Sequence, residues 1–202
     1  MLFRSTSDFG SGCSADGNII IQKSIYQDMI AALINEGGYL CDQSEKDLLE
    51  KAMWDEKGNR TFPTIACKPQ QTADVAGFSI PDDRKFLMVD NQGQIGENFK
   101  FCKEKLTTLM SLYCFEQFDE ALTIVKSIYQ VGGKGHSCGI YSHSEKNIDA
   151  LARTAPVSRM MVRQPQSKAN AGSFTNGMPM TSSLGCGIWG GNITNENVTL
   201  KH

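Results

Sequence analysis

The sequence predicts an α/β domain with a mainly parallel sheet flanked by helices. Three observations point to it. Short apolar runs alternate with segments of helical period along the first 160 or so residues. Glycine pairs and polar turns punctuate the boundaries between them. The 202 residues, 40% of them hydrophobic, suffice for one sizeable core and are too few for two generous ones.

The elements follow in order. Residues 19–21, three isoleucines, read as a short buried strand. Residues 24–36 carry apolar side chains at 25, 29, 32 and 33, a helical spacing, and stop at Gly37-Gly38. Ser44-Glu45-Lys46-Asp47 has the capping-box form and opens a second helix that runs through Met53. Lys57-Gly58-Asn59 is a loop, residues 70–76 a short helix, and residues 85–89 a strand before the Asn91-Gln92-Gly93 turn. A strand is expected over 109–115. Phe118, Leu122, Val125 and Tyr129 then mark the clearest helix, ended by Gly132-Gly133. Residues 138–141 form a strand, 145–153 a helix and 160–162 a strand. From Gln164 onward the chain is rich in Gly, Asn, Ser and Pro and reads as irregular.

Composition excludes several function classes. The formal net charge of −2 and the lack of any Lys/Arg-rich run leave no footprint for nucleic acid. The longest purely apolar stretch, Met29 to Ile34, is far below the ~18 residues of a membrane span. The N-terminus lacks the basic-then-apolar pattern of a signal peptide. Seven cysteines, at 13, 41, 67, 102, 114, 138 and 186, include no C-x-x-C pair, so no metal site is expected. An odd number of scattered cysteines without an export signal points to the reducing cytoplasm.

Cys13 is the thiol that stands out. It lies in Phe9-Gly10-Ser11-Gly12-Cys13-Ser14-Ala15-Asp16-Gly17-Asn18, a turn of small residues that leads into the first strand. Glycines at 10, 12 and 17 relax the backbone and let another molecule approach closely. A free thiol titrates near ~8.5, so a few per cent is already nucleophilic thiolate at neutral pH. The plainer reading, one of seven buried small hydrophobes, stays open on spacing alone.

Four segments tie the two ends of the chain together. They are Gly10-Ser11-Gly12-Cys13-Ser14, Glu104-Lys105-Leu106-Thr107, Gly132-Gly133-Lys134-Gly135-His136-Ser137, and the run from Asn176-Gly177-Met178-Pro179 through Gly185-Cys186-Gly187-Ile188-Trp189-Gly190-Gly191-Asn192 to Asn195-Glu196-Asn197-Val198. In that order they resemble the catalytic domain of the aldehyde dehydrogenase superfamily, in its coenzyme A-acylating branch. The resemblance implies that Cys13 attacks an aldehyde, that the adduct gives a hydride to NAD or NADP, and that the resulting thioester passes its acyl group to coenzyme A. It implies that the Cys13 N–H helps to hold the oxyanion and that Glu104 holds the ribose beside nicotinamide. Thr108 stands where the family usually has proline. His136 is implied on the coenzyme A side, with deprotonation of the incoming thiol as a further option. The alternatives are a solvated charge for Glu104 and a structural histidine for His136.

The loop 170–179, including Asn176, suits hydrogen bonding to a short polar aldehyde, and Arg159, Arg163 and Lys168 are the candidate cations for a sulfonate or carboxylate group. Trp189 and Leu184 are expected in the core, Gly187, Gly190 and Gly191 where backbones meet, and Cys186 outside the chemistry. No Gly-x-Gly-x-x-Gly turn follows a strand. In the family the cofactor domain precedes the nucleophile, so residues 1–202 are expected to be the catalytic domain, with the dinucleotide-binding domain outside them. Met1 then reads as an internal or truncated start, and the segment that builds a homo-oligomer interface falls beyond His202. Two other readings stand beside this one: a catalytically silent domain acting through assembly, and a domain of a hydrolytic aldehyde dehydrogenase.

The isolated chain is expected neither to bind a nicotinamide cofactor tightly nor to turn over aldehyde, because it offers no glycine turn to cradle phosphate. Calorimetric titration with NAD and NADP checks this; micromolar binding by the 202-residue chain contradicts it.

Overall fold

The computed structural model describes residues 7–181 and 185–202. A four-stranded, all-parallel sheet contains β1 (Asn18–Gln22), β2 (Gly38–Leu40), β3 (Phe86–Asp90) and β4 (Leu109–Phe115), in the spatial order β1-β4-β3-β2. A second parallel pair joins β5 (Gly135–Ile140) to β6 (Val157–Val162). The helices are α1 (Tyr26–Asn35), α2 (Gln43–Met53), α3 (Pro69–Ala76), α4 (Phe118–Gly132), α5 (Glu145–Thr154) and the short α6 (Gln166–Ala169).

The alternation of side chains along the central strands divides the core into layers. Phe86, Met88, Met110 and Leu112 pack against Tyr26, Ile30 and Leu33 of α1. Leu87, Val89 and Leu109 face the other way, onto Leu49, Met53, Ala73 and Ala76 of α2 and α3. Strands buried on both faces need apolar residues at successive positions, which is why β3 reads Phe-Leu-Met-Val without a polar break. A third core joins α4 and α5 to the β5–β6 pair, with Leu122, Val125 and Tyr129 of α4 lying beside Ile140 and Leu151.

The expected fold class is found, with local corrections. The buried stripe of α1 is Tyr26, Ile30 and Leu33; of the expected 25, 29, 32 and 33, Leu33 is fully buried and Met29 packs partly against the core, whereas Ile25 is half exposed and Ala32 is exposed. In a run this apolar both sets satisfy helical spacing, and contact with the sheet selects one. The capping box begins at Asp42, not Ser44: Asp42 Oδ1 accepts from the Glu45 N–H at 2.8 Å, and Glu45 Oε2 accepts from the Asp42 N–H at 2.9 Å. Gly37 ends α1 at φ 100°, but Gly38 already opens β2, an edge strand that the glycine pair concealed.

A Cβ on Gly38 would stand 2.8 Å from the Leu33 carbonyl oxygen and from the side chains of Phe86 and Met88. Gly38→Ala is therefore expected to destabilise the protein by about 1–3 kcal/mol, the usual cost of overpacking. Thermal unfolding checks it: a midpoint within a degree of the parent would show that β2 yields without strain.

Candidate active site

Cys13 sits at the corner of a tight turn closed by the Ala15 N–H donating to the Gly12 carbonyl at 2.9 Å. The sulfur is exposed, and no acceptor among the described residues takes the Cys13 N–H. A pinned start and end hold the turn. Gly10, at φ 73°, presses so closely on the Thr107–Thr108 backbone that a Cβ would lie 2.5 Å from the Thr107 carbonyl oxygen. At the other end the Ser111 N–H donates to the Gly17 carbonyl at 3.0 Å, where β1 meets β4. Of the three glycines, only Gly10 is demanded by close approach: Gly12 faces open space and Gly17 has ordinary contacts.

Lys105 braces this junction from beneath. Its buried Nζ donates to the carbonyls of Phe101 (2.7 Å) and Lys103 (3.1 Å) and to Asn18 Oδ1 (3.3 Å), while Asn18 Nδ2 donates to the Cys102 carbonyl. Burial pushes the Lys105 amine down to about 7, with the nearby Arg60 guanidinium acting in the same direction. Arg60 donates in turn to the Lys105 and Thr64 carbonyls at 2.8 Å and to the Met53 carbonyl. The loop is thus held from both sides. Thr108, in the usual place of proline, is buried, and its carbonyl accepts from the Leu87 N–H at 2.8 Å, so hydrogen bonding supplies the rigidity a proline ring would give.

Glu104 stands exposed between buried Cys102 and Lys105, with no hydrogen bond or ion pair among the described residues and only an electrostatic interaction with Lys105. An exposed, acceptor-only carboxylate suits the two hydroxyls of a ribose, so the residue fits the role that the family resemblance implies.

His136, at the start of β5, places Nε2 at 3.1 Å from Cys13 Sγ and Nδ1 at 2.7 Å from Ser137 Oγ. Burial first, and then the Arg159 guanidinium, hold its pKa below the ordinary 6.5, which keeps the ring neutral at pH 7. Arg159 is itself buried. Its Nε donates to Asn197 Oδ1 (2.6 Å) and its Nη1 to the Gly185 carbonyl (2.8 Å), and no carboxylate pairs with it among the described residues. Its charge is therefore left to act on the Cys13–His136 pair.

The other candidates divide. Lys168 is exposed on α6, whose Ser167 carbonyl accepts from Ser14 Oγ at 3.3 Å, next to the nucleophile turn. Arg163 lies at the carboxyl end of β6, five positions or ~16 Å of strand beyond the level of His136, and its Nη1 donates to the Ser142 carbonyl. Asn176 spends its amide within its own loop, accepting from the Ser173 and Met178 N–H groups and donating to the Ala169 carbonyl. Trp189 is half exposed, not core, and Leu184 lies outside the described residues. Gly187 and Gly190 do mark close contacts, since a Cβ on either would collide, with Ser158 and Asn195 or with Cys186, but Gly191 faces open space and is favoured only by its φ of 79°.

Lys105, Ser137, Gln166, Asn170 and Asn197 escaped sequence reasoning as site residues. Each looks like a solvent-facing polar residue until its partners are known. Among the described residues no His, Cys, Asp and Glu cluster could hold a metal, and no helix is long and apolar enough to cross a membrane.

Comparison with known proteins points the same way. No protein-family model matches the chain. It is similar to the sulfoacetaldehyde dehydrogenase of Acholeplasma sp, 38% identical over 199 residues, and to the acetylating succinate-semialdehyde dehydrogenase of Clostridium kluyveri, 33% identical over 195 residues. Each alignment takes in 96% of this chain but 41% and 43% of those proteins, so the chain spans less than half the length of the relatives it matches. An acetylating aldehyde dehydrogenase structure from Geobacillus thermoglucosidasius superposes with a TM-score of 0.93 at 29% identity, over all of this chain and 44% of that one.

Cys13 is expected to be the fastest-reacting thiol of the folded chain. Burial drives Cys41 and Cys138 up to about 12, leaving them as inert thiols, whereas Cys13 is exposed beside the His136 imidazole, with the Arg159 guanidinium acting on it electrostatically. Limited iodoacetamide labelling with peptide mapping tests this; faster modification at Cys67, Cys114 or Cys186 contradicts it.

Proposed function

Because the chain belongs to the coenzyme A-acylating branch of the aldehyde dehydrogenase superfamily, we propose that residues 1–202 are the catalytic-cysteine domain of an enzyme that oxidises a short polar aldehyde to its acyl-coenzyme A. The observation that carries this reading is the exposed Cys13 sulfur 3.1 Å from His136 Nε2, on a turn where no acceptor among the described residues takes the Cys13 N–H.

The Cys13 thiolate adds to the aldehyde carbon, and the oxygen that becomes anionic lies within reach of the Cys13 N–H. Preorganised donors of this kind contribute roughly 3–4 kcal/mol to the transition state at comparable sites. The nicotinamide cofactor, NAD or NADP, supplies the acceptor for the hydride that leaves that carbon. Glu104 is the residue that would hold its ribose. The product on the protein is a thioester at Cys13. The coenzyme A thiolate then displaces the Cys13 sulfur from the acyl group, and His136 beside that sulfur steadies it as it leaves. The two co-substrates are small molecules, and the assembled enzyme is proposed to be a cytoplasmic homo-oligomer.

For the aldehyde itself we favour sulfoacetaldehyde. A sulfonate carries a fixed negative charge, and the candidate cations for it are Lys168, exposed on the helix whose Ser167 carbonyl accepts from Ser14, and Arg159, which has no carboxylate partner among the described residues. Succinate semialdehyde, the substrate named for one relative, carries a carboxylate that the same charges would accept.

The second half of the reaction runs backwards without any nicotinamide, which makes it a direct test. Incubated with an acyl-coenzyme A, the chain is expected to form a thioester at Cys13 and release one equivalent of free coenzyme A, detectable by intact mass and by peptide mapping. Cys13→Ser should abolish the exchange, since an unassisted alcohol is a poor nucleophile at neutral pH. Faster exchange with sulfoacetyl- than with succinyl-coenzyme A supports the sulfonate assignment. Acylation spread evenly over several cysteines, or none at all, overturns the proposed function.

A further inference from the structure

The surroundings of His136 determine which of its nitrogens carries the proton. Ser137 Oγ lies 3.3 Å from Gln166 Nε2 and 3.2 Å from Asn170 Nδ2. The orientation of the Asn170 amide is set independently, because its Nδ2 also lies 2.7 Å from the Gln166 carbonyl oxygen, which can only accept. A hydroxyl has two lone pairs and one proton. With both lone pairs taken by amide donors, the Ser137 proton is left for the remaining neighbour, His136 Nδ1 at 2.7 Å. A nitrogen that accepts this proton carries none of its own. The neutral ring must then bear its hydrogen on Nε2, and Nε2 faces Cys13 Sγ.

We infer that Ser137, gripped by the side-chain amides of Gln166 and Asn170, is a positioning residue that locks His136 in the neutral Nε2–H form, so that the ring donates to the Cys13 sulfur and cannot take a proton from it. The inference rests on the reading of Cys13 as the nucleophile. It changes the role of the histidine from base to donor. A doubly protonated ring would aim Nδ1–H at an oxygen whose lone pairs are already filled and would leave the Ser137 proton without an acceptor. The groups that face the ring act in the same direction: Cys13 from the nucleophile turn favours a donor opposite its thiolate, and Arg159 from β6 opposes a second positive charge. The Cys13 proton accordingly leaves to the water that reaches this exposed sulfur. The Nε2–H then stabilises the thiolate both before attack and when coenzyme A displaces it. Deprotonation of the incoming thiol falls to a group other than His136.

Nitrogen-15 NMR of the imidazoles in the 202-residue chain distinguishes the two neutral tautomers directly. There are only three histidines, and the His136 signals are those lost in His136→Asn. The expected result for the parent chain is a single tautomer, protonated at Nε2, that persists as the pH falls through 6.5. In Ser137→Ala the tautomers should mix, the His136 midpoint should rise by about one pH unit, and Cys13 alkylation at pH 7 should change by roughly tenfold. Ser137→Thr, which keeps the hydroxyl, should restore the parent spectrum. An Nδ1–H tautomer in the parent chain overturns the inference even if no variant folds, as does a Ser137→Ala spectrum identical to that of the parent. Slow alkylation of Cys13 in the parent, with the Nε2–H tautomer present, would instead remove the nucleophile reading and leave the tautomer assignment standing.

Discussion

The site depends on a buried lysine. Lys105 gives its donors to Phe101, Lys103 and Asn18, and so ties the loop that carries Glu104 to the strand that follows Cys13. Taking an amine out of water is costly unless its hydrogen bonds are replaced, and here three acceptors replace them. Arg60 anchors the same loop through the Lys105 carbonyl, and Gly10 lets the nucleophile turn settle onto Thr107–Thr108. The spacing between a proposed nucleophile and a proposed cofactor ligand ninety residues away is therefore set by one side chain and one glycine.

The position of the site relative to the sheet follows from the order of the chain. Cys13 precedes β1, Glu104 precedes β4 and His136 opens β5, so all three lie at the amino ends of parallel strands. Open α/β sheets commonly receive their ligands at the carboxyl ends, where the loops lead into helix N-termini. At the amino ends no helix dipole serves an anion. In the proposed mechanism the negative charge on sulfur or on a substrate oxygen is met instead by the Cys13 N–H, the His136 imidazole and the guanidinium of Arg159. Arg159 is held for this purpose by Asn197, whose Nδ2 reaches the carbonyls of Asn170 and Pro179 and so joins the irregular C-terminal segment to the wall of the site.

The same burial that builds the core sorts the thiols. Cys41 and Cys138 pack as small hydrophobes and are held protonated, while Cys13 stays in solvent on a turn with no bulky neighbour in sequence. The reactivity proposed for Cys13 thus rests on its exposure and on the neighbouring His136 and Arg159, with no carboxylate–histidine pair among the described residues to extract the proton.

Much of this was legible in the sequence. The apolar run at 86–89, and the run at 109–113 interrupted only by Ser111, read as strands, and the stripe at 118, 122, 125 and 129 reads as a helix on a core, because burial imposes those periods locally. Cys13 was legible too, since a turn of small residues advertises an accessible sulfur. The stripe of α1, the start of α2 and the strand opened by Gly38 were not, because in each case two local readings satisfy the same spacing and contact with the sheet chooses between them. The burial of Lys105, the grip of Gln166 and Asn170 on Ser137, and the separation of Arg163 from Arg159 were invisible for a deeper reason. A polar side chain states what it can donate or accept, but its partner is decided by which distant segments the fold brings within hydrogen-bond reach, and residues 18, 105, 137, 159, 170 and 197 meet only once the sheets have closed.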